Sequence, residues 1–355
     1  LSTTHVKETL LIDHVPDLVL AQWRVFAGQP SARVNVGLIN DTFFVTARDG
    51  TQAVFQRLHS VFDATVNIDI AAVTKRLVEK DLQSPQLIPT DNEALWVKYN
   101  DRIWRAITFI PGHTYHKVRS PELAYEAGAL VGRFHNALNG FEHSYSFSRG
   151  NVHNTSTHIE RLRRTFHEHR SHPLRGEVLT LAEPLLLEYE HLPDLSNLPR
   201  RHAHGDLKIS NILFDGTDHA VCLIDLDTLS RMIWPFEMGD ALRSWCNPRQ
   251  EDEGSANLEL ALLEAALTGY ASSAKQLASR EEREALIAGL AQICLELASR
   301  FLGDALHESY FGWDPTRYET RGAHNLARGR AMWELYQSVK KNQRHAERIV
   351  CNQLG

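Results

Sequence analysis

Residues 204–214, His204-Gly205-Asp206-Leu207-Lys208-Ile209-Ser210-Asn211-Ile212-Leu213-Phe214, pack a histidine, an aspartate, a lysine and an asparagine into eight positions ahead of an apolar run. Two readings compete. The polar side chains could satisfy a turn that leads into a strand. Alternatively, Asp206 accepts or orients a hydroxyl proton and Asn211 offers a neutral oxygen to a metal ion, as phosphoryl transfer requires. The next residues of the chain separate them. The short runs 211–214 and 220–224 flank Asp215-Gly216-Thr217-Asp218 and read as a hairpin. It ends in Leu223-Ile224-Asp225-Leu226-Asp227, with Asp225 placed 19 residues beyond Asp206. A strand end that delivers an aspartate there supplies a second metal ligand, and the neutral amide of Asn211 adds no extra charge beside the base.

Working outward, the first third reads as strands with one helix. The segments 32–37, 41–48 and 52–58 are rich in β-branched and aromatic residues, and Asp49-Gly50 is a hairpin turn. A helix fits 67–79, the short stretches 87–89 and 95–99 follow, and 102–109 closes the sheet. Ile110-Pro111-Gly112 breaks the pattern. Residues 1–110 are therefore expected to form a lobe of one five-stranded sheet and one helix. Residues 111–355 are expected to form a larger lobe with helices near 121–139, 157–170, 177–190, 257–275, 281–303 and 320–345, plus the embedded hairpin. The class is α+β, a small β-rich lobe followed by a large, mainly helical one.

Composition limits the partners. The 355 residues are 43% hydrophobic and 23% charged, with a formal net charge of −6, which offers no basic face for nucleic acid. The four cysteines, Cys222, Cys246, Cys294 and Cys351, form no CxxC pair and suit inert thiols in a reducing compartment. The first 15 residues lack a secretory pattern, and no apolar run reaches a membrane-spanning length, so a cytoplasmic protein with no membrane partner is expected. The 19 histidines are scattered, without the flanking ligands of a tetrahedral site, and surface solvation accounts for most of them.

Histidine, aspartate two later and asparagine five after that, ahead of a hairpin ending in I-D-x-D, resembles the catalytic loop of the protein-kinase-like fold. Two departures narrow the class. Protein kinases place an arginine before the catalytic aspartate, where this chain has Gly205, so a phosphorylated activation loop has no anchor. Only 15 residues separate Asp225 from Asp240 in Pro235-Phe236-Glu237-Met238-Gly239-Asp240, too few for a long peptide-binding segment. A small acceptor fits better. HGDLKISNILFD, LIDLDTL and PFEMGDAL together resemble the aminoglycoside phosphotransferase and choline kinase superfamily. GLINDTFFV, AVFQRLH, VNI and ASRFLGDALHESYF are similar to the N-acetylhexosamine 1-kinases, which phosphorylate the anomeric hydroxyl of a sugar. The resemblance covers most of the chain.

It implies ATP and Mg²⁺ as cofactors, and a small-molecule sugar or related hydroxylated substrate as partner. Asp206 would be the catalytic base, with Asn211 and Asp225 as metal ligands. Arg57 would hold phosphate, and Gly37, Asn40 and Ile110 would contact the nucleotide. Arg300 would reach the acceptor, with Tyr310 and Trp234 as stacking aromatics. His204, Asp227 and Asp240 would support the loop. There is no GxGxxG. The carboxylate that pairs with Arg57 is open between Asp69 and Glu79. Arg57 could also face solvent, and Arg300 could be a helix-surface ion-pair partner. Other acceptors are aminoglycosides, phosphorylated at a 3'-type hydroxyl, and choline or ethanolamine. A pseudokinase is a further alternative, which the intact Asp206, Asn211 and Asp225 oppose. Residues 231–355 hold about as many basic as acidic side chains, whereas a polycationic antibiotic prefers an acidic pocket. Either a monomer or a homodimer is compatible with the sequence.

Overall fold

The computed structural model describes residues 13–34, 40–147, 153–249 and 251–355. The chain divides into two compact units: residues up to Ala71 with Pro85–Ile110, and Ala72–Ser84 with Pro111–Gly355.

In the first unit, α1 (Asp17–Leu20) precedes β1 (Ser31–Val34), β2 (Asp41–Thr46) and β3 (Gln52–Arg57). Helix α2 (Val66–Val78) runs on into the residues of the second unit, and β4 (Leu87–Ile88), β5 (Val97–Tyr99) and β6 (Arg102–Thr108) complete a wholly antiparallel sheet. The sheet has six strands in the order β1-β2-β3-β6-β4, with β5 also on β6, and not the five expected. The extra strand arises because β4 and β5, each only a few residues long, pair with different stretches of the longer β6. Alternation puts Phe43, Val45, Ala53, Phe55, Trp104 and Ala106 on one buried face. The segment before β1, for which the strand pattern gave no role, covers that face. Trp23 and Phe26 meet the Phe55 ring edge-on at 5.2 and 5.4 Å.

The second unit is mainly helical, so the α+β class holds. Its elements are α3 (Pro121–Leu138), α4 (Thr155–Glu168), α5 (Arg175–Tyr189), β7 (Arg200–Ala203), β8 (Ile212–Phe214), β9 (Ala220–Leu223), β10 (Ser230–Ile233), α6 (Trp234–Trp245), α7 (Leu260–Ala274), α8 (Arg280–Glu284), α9 (Leu286–His307) and α10 (Arg321–Leu354). Strands β8 and β9 form the anticipated hairpin, and β7 pairs antiparallel with β10 around it. Neither β7 nor β10 was anticipated, and neither was α6. Pro235 in its first turn and Gly239 in its middle read as breaks in the chain, yet proline is accommodated at the start of a helix, and most of α6 is buried. Helix α9 is apolar and long enough, by length and composition, to cross a membrane, and most of it is buried within this unit as a core helix. Helix α6 packs on it closely: a Cβ at Gly289 would lie 2.5 Å from the Pro235 carbonyl oxygen.

Candidate active site

The pairing of β7 with β10 sets Ala203 opposite Ser230, and residues 204–211 leave that junction as a loop. Helix α6 holds the loop from beneath. The buried Glu237 carboxylate accepts the His204 N–H at 2.7 Å and the Gly205 N–H at 3.0 Å. One turn on, Asp240 accepts the Leu207 N–H at 2.8 Å while its other oxygen pairs with Arg243. Ser244 Oγ accepts the Ile209 N–H, and the Trp245 indole N–H donates to the Leu207 carbonyl. His204 is fully buried. Its Nε2 lies 3.0 Å from the Ile224 carbonyl, which can only accept, so Nε2 carries the proton and Nδ1 accepts the Asp206 N–H. One imidazole thus ties the loop to the strand end next to Asp225.

Gly205 owes its place to packing. Its φ is +82°, and a Cβ would lie 2.5 Å from the Thr228 carbonyl oxygen. No side chain fits there, whatever the substrate.

Asp206 receives Lys208 Nζ at 2.8 Å and Asn211 Nδ2 at 3.0 Å, both on Oδ2. The other oxygen, Oδ1, has no hydrogen-bond partner among the described residues and can meet an acceptor hydroxyl. Burial favours the neutral acid, but the Lys208 ammonium outweighs it and holds the carboxyl at about 2. Asn211 spends its amide N–H groups on Asp206, through the backbone oxygen at 2.9 Å and the carboxylate, which leaves its carbonyl oxygen as the atom a metal would take. Asp225 sits at a left-handed φ of 63°, with Asp227 buried in the turn beside it. Burial and then the Asp227 charge push the Asp225 carboxyl up to about 6. A half-buried carboxylate whose charge is opposed by desolvation and then by neighbouring anions is a fitting seat for a divalent cation, which would restore its charge.

In the first unit, the partner of Arg57 is neither carboxylate considered from the sequence. Its Nε and Nη2 bond Asp41 Oδ2 at 2.8 and 2.7 Å, and Arg33 takes Asp41 Oδ1 at 2.6 Å. Arg57 is buried, so the solvent-facing alternative falls. Asn40 is buried with Oδ1 accepting the His59 N–H at 2.8 Å, which ties the start of β2 to the end of β3. Gly37 lies outside the described residues. Ile110 is half-buried and ends the first unit.

Arg300 sits in α9 with its guanidinium 3.7 Å from Glu296 and over the Phe311 ring, 5.6 Å from its centre. The segment that carries Phe311 is pinned by Asp304, which accepts the N–H groups of Ser309, Tyr310 and Phe311. Tyr310 is 45% exposed. Trp234 is a correction: it is 2% exposed, stacks obliquely on Tyr270 and donates its indole N–H to the Tyr270 hydroxyl, so it belongs to the core and not to a stacking platform.

The model of the phosphotransferase enzyme family, APH, matches residues 32–275. The chain belongs to this family. As an APH phosphotransferase it is an ATP-dependent kinase that phosphorylates a hydroxyl group of a small molecule. The fold is shared with an aminoglycoside phosphotransferase from Alicyclobacillus acidocaldarius, at 15% identity over 96% of this chain and 99% of that one, with a TM-score of 0.61. It is also shared with the amicoumacin kinase hAmiN, in complex with AMP-PNP, Ca²⁺ and Ami, at 12% identity over 86% and 87% of the two chains and a TM-score of 0.59. Choline kinase from Cryptosporidium parvum matches at 13% identity over 91% and 92%, with a TM-score of 0.53.

Four side chains of this APH phosphotransferase were not singled out by their sequence context: Asp41, Lys208, Glu237 and Glu296. Counting across the hairpin brings Asp41 within one residue of Arg57. A two-residue Asp49-Gly50 turn would set Asp41 opposite Leu58; the loop is one residue longer, closed by the Ala47 N–H on the Thr51 carbonyl, and this register puts Asp41 directly opposite Arg57. Lys208 stands inside the catalytic loop itself. Glu237 and Glu296 carry no local signal, because each is defined by the element it packs against.

Proposed function

We propose that this chain is a sugar kinase, with the anomeric hydroxyl of an N-acetylhexosamine as the leading acceptor. The observation that carries the reading is the setting of Arg300: a half-buried fork of donors over an aromatic ring, its charge offset by one carboxylate. Such a group binds ring hydroxyls or an N-acetyl carbonyl. Among the described residues, Glu296 is the carboxylate that pairs with it, whereas a polyamine would need several. The ASRFLGDALHESYF segment that holds Arg300 and Phe311 is also one of the stretches that resemble the anomeric sugar kinases.

In the proposed reaction the acceptor hydroxyl gives its proton to Asp206 Oδ1. Its oxygen bonds to the γ-phosphorus as the bond from that phosphorus to the bridging oxygen breaks, and ADP leaves. At a carboxyl held near 2, Asp206 is a weak base. It orients the hydroxyl early and takes the proton late, as a loose phosphoryl-transfer transition state allows. Lys208 steadies the Asp206 carboxylate from Oδ2. Asn211 and Asp225 would hold Mg²⁺, which neutralises phosphate charge when bound, and Arg57, oriented by Asp41, would grip phosphate oxygens.

The test is ADP release with Mg-ATP against N-acetylglucosamine, N-acetylgalactosamine, galactose, choline and kanamycin, with phosphorus NMR to place the new phosphate. Turnover of an N-acetylhexosamine to its 1-phosphate is the expected result. Turnover of kanamycin or choline with no sugar accepted would overturn the reading.

A further inference from the structure

Beside Arg300, a buried polar cluster is left incompletely bonded. Glu296 is fully buried on α9, one turn before Arg300. Its Oε2 accepts the Thr155 hydroxyl at 2.9 Å, and Gln292 Nε2 donates to the same hydroxyl at 3.1 Å. Its Oε1 faces three nitrogens: His153 Nδ1 at 3.3 Å, Arg300 Nη1 at 3.7 Å and His158 Nε2 at 3.8 Å. None of the three makes a hydrogen bond with it. His153 Nδ1 and Nε2, Gln292 Oε1 and Glu296 Oε1 are all buried without a hydrogen-bond partner among the described residues. Orphaned polar atoms in a protein interior are costly, and a group of them in one place calls for an explanation.

The cluster has a definite position in the fold. Thr155 begins α4, directly after its Asn154 cap, so the two residues bracket the start of that helix with His153. Glu296 therefore links the start of α4 to the turn of α9 that bears Arg300. Asp240, which holds the catalytic loop through Leu207, lies close enough for its charge to act on His153.

We propose that Glu296, anchored by the Thr155 hydroxyl and faced by His153, is a positioning residue for acceptor recognition: it aims the Arg300 guanidinium, which closes onto it when an uncharged, polyhydroxylated acceptor binds. This rests on the sugar-kinase reading above. The two atoms stand 3.7 Å apart, roughly 1 Å beyond a charge-assisted hydrogen bond, and that gap is what is left to close. The class of acceptor follows from charge and hydrogen-bonding capacity. Arg300 only donates, so it selects oxygen lone pairs. The one carboxylate in the cluster is already faced by a guanidinium and two imidazoles, and the nearby Asp240 is occupied by Arg243. An ammonium acceptor would find no free anion there. A hydroxyl or an amide carbonyl would find a donor.

The test measures KM for the acceptor, KM for ATP, kcat and Tm in the wild type, Glu296→Gln, Arg300→Met and the double variant. Losing the aim of one hydrogen-bonding group should raise acceptor KM about tenfold in Glu296→Gln, with ATP KM within about twofold. In the Arg300→Met background the same change should have less than about a twofold effect, because the two residues act through one contact. Glu296→Asp, which keeps the charge, should recover part of the loss. If the two effects multiply, Glu296 does not act through Arg300 and the proposal is overturned. If Glu296→Gln lowers Tm but leaves acceptor KM unchanged, the cluster is only a strut between α4 and α9, and the proposal is again overturned. Should Glu296→Gln not fold, His153→Gln takes its place, with the same outcomes deciding. The wild-type panel separates the two levels: no sugar turnover sinks the sugar-kinase reading, whereas sugar turnover with an unmoved KM in the variant sinks only this inference.

Discussion

Glu237→Gln tests whether a carboxylate on α6 shapes the catalytic loop. Glu237 is buried, accepts the N–H groups of His204 and Gly205 on separate oxygens, and lies 3.6 Å from His135. Glutamine has the same shape but only one accepting oxygen. Whichever way the amide turns, its NH₂ then meets a backbone N–H. The change removes one charge-assisted hydrogen bond, worth about 1.5–3 kcal/mol, and leaves a buried donor unsatisfied at a further cost of about 1–3 kcal/mol. A total near 4 kcal/mol corresponds to a fall in Tm of roughly 8 °C at about 2 °C per kcal/mol for a chain of this size. Gly205 immediately precedes Asp206, so the loop shifts where the chemistry occurs. A displacement on the order of 1 Å lowers kcat about 100-fold, with little change in either KM. Thermal unfolding and ADP release measure the two effects. A Tm within about 2 °C of wild type together with kcat within about threefold would refute the argument that this carboxylate holds the loop.

Other expectations rest on the same geometry. Asp206→Asn should lower kcat by about 10²–10⁴ on any accepted substrate while the protein remains folded by circular dichroism. Arg57→Lys loses the fork on Asp41 and should raise KM for ATP about tenfold without moving KM for the acceptor, as steady-state kinetics would show. Gly205→Ala combines a left-handed φ with a contact to the Thr228 carbonyl and should destabilise by about 2–4 kcal/mol in urea unfolding. Burial opposes charge on both His153 and Glu296, yet Glu296 raises His153 above its ordinary 6.5 and His153 lowers Glu296 below its ordinary 4.5, with Asp240, Arg300 and His158 also acting on the pair. The His153 contribution to stability is therefore complete below pH 6.5 and lost as pH rises through its raised value. That of Glu296 is complete above 4.5 and lost as pH falls through its lowered value. The Tm gap between wild type and His153→Gln should narrow from pH 6 to pH 9, and a constant gap would contradict the pairing.

Legibility in the sequence tracked the range of the interactions. The hairpin after Asn211 and most of the helices were readable because turn chemistry and periodicity are local. Strand β7 was not, because its Arg-Arg-His-Ala sequence has no apolar alternation and is a strand only by virtue of its pairing with β10. Trp234 was expected to stack on the acceptor, and its burial involves Tyr270, which comes 36 residues later. Gly205 was read as a mark of substrate class. Its immediate cause is a backbone oxygen contributed by Thr228. The partner of Arg57 comes from across the hairpin, in a register that differs by one residue from that of a two-residue Asp49-Gly50 turn. Glu296 was beyond reach, because a glutamate within an apolar helix says only that something must compensate it, and the compensating histidines lie in another element.

The two carboxylates of α6, Glu237 and Asp240, come 31 and 34 residues after Asp206 in the chain. The loop they shape is therefore synthesised well before the residues that give it its form. Until α6 has docked, the N–H groups of residues 204, 205 and 207 lack their acceptors, and Asp206 has no fixed direction. A chain that is only partly folded thus carries every chemical group of the reaction and none of its alignment. Alignment of the proposed base therefore follows the docking of α6 rather than the synthesis of the loop.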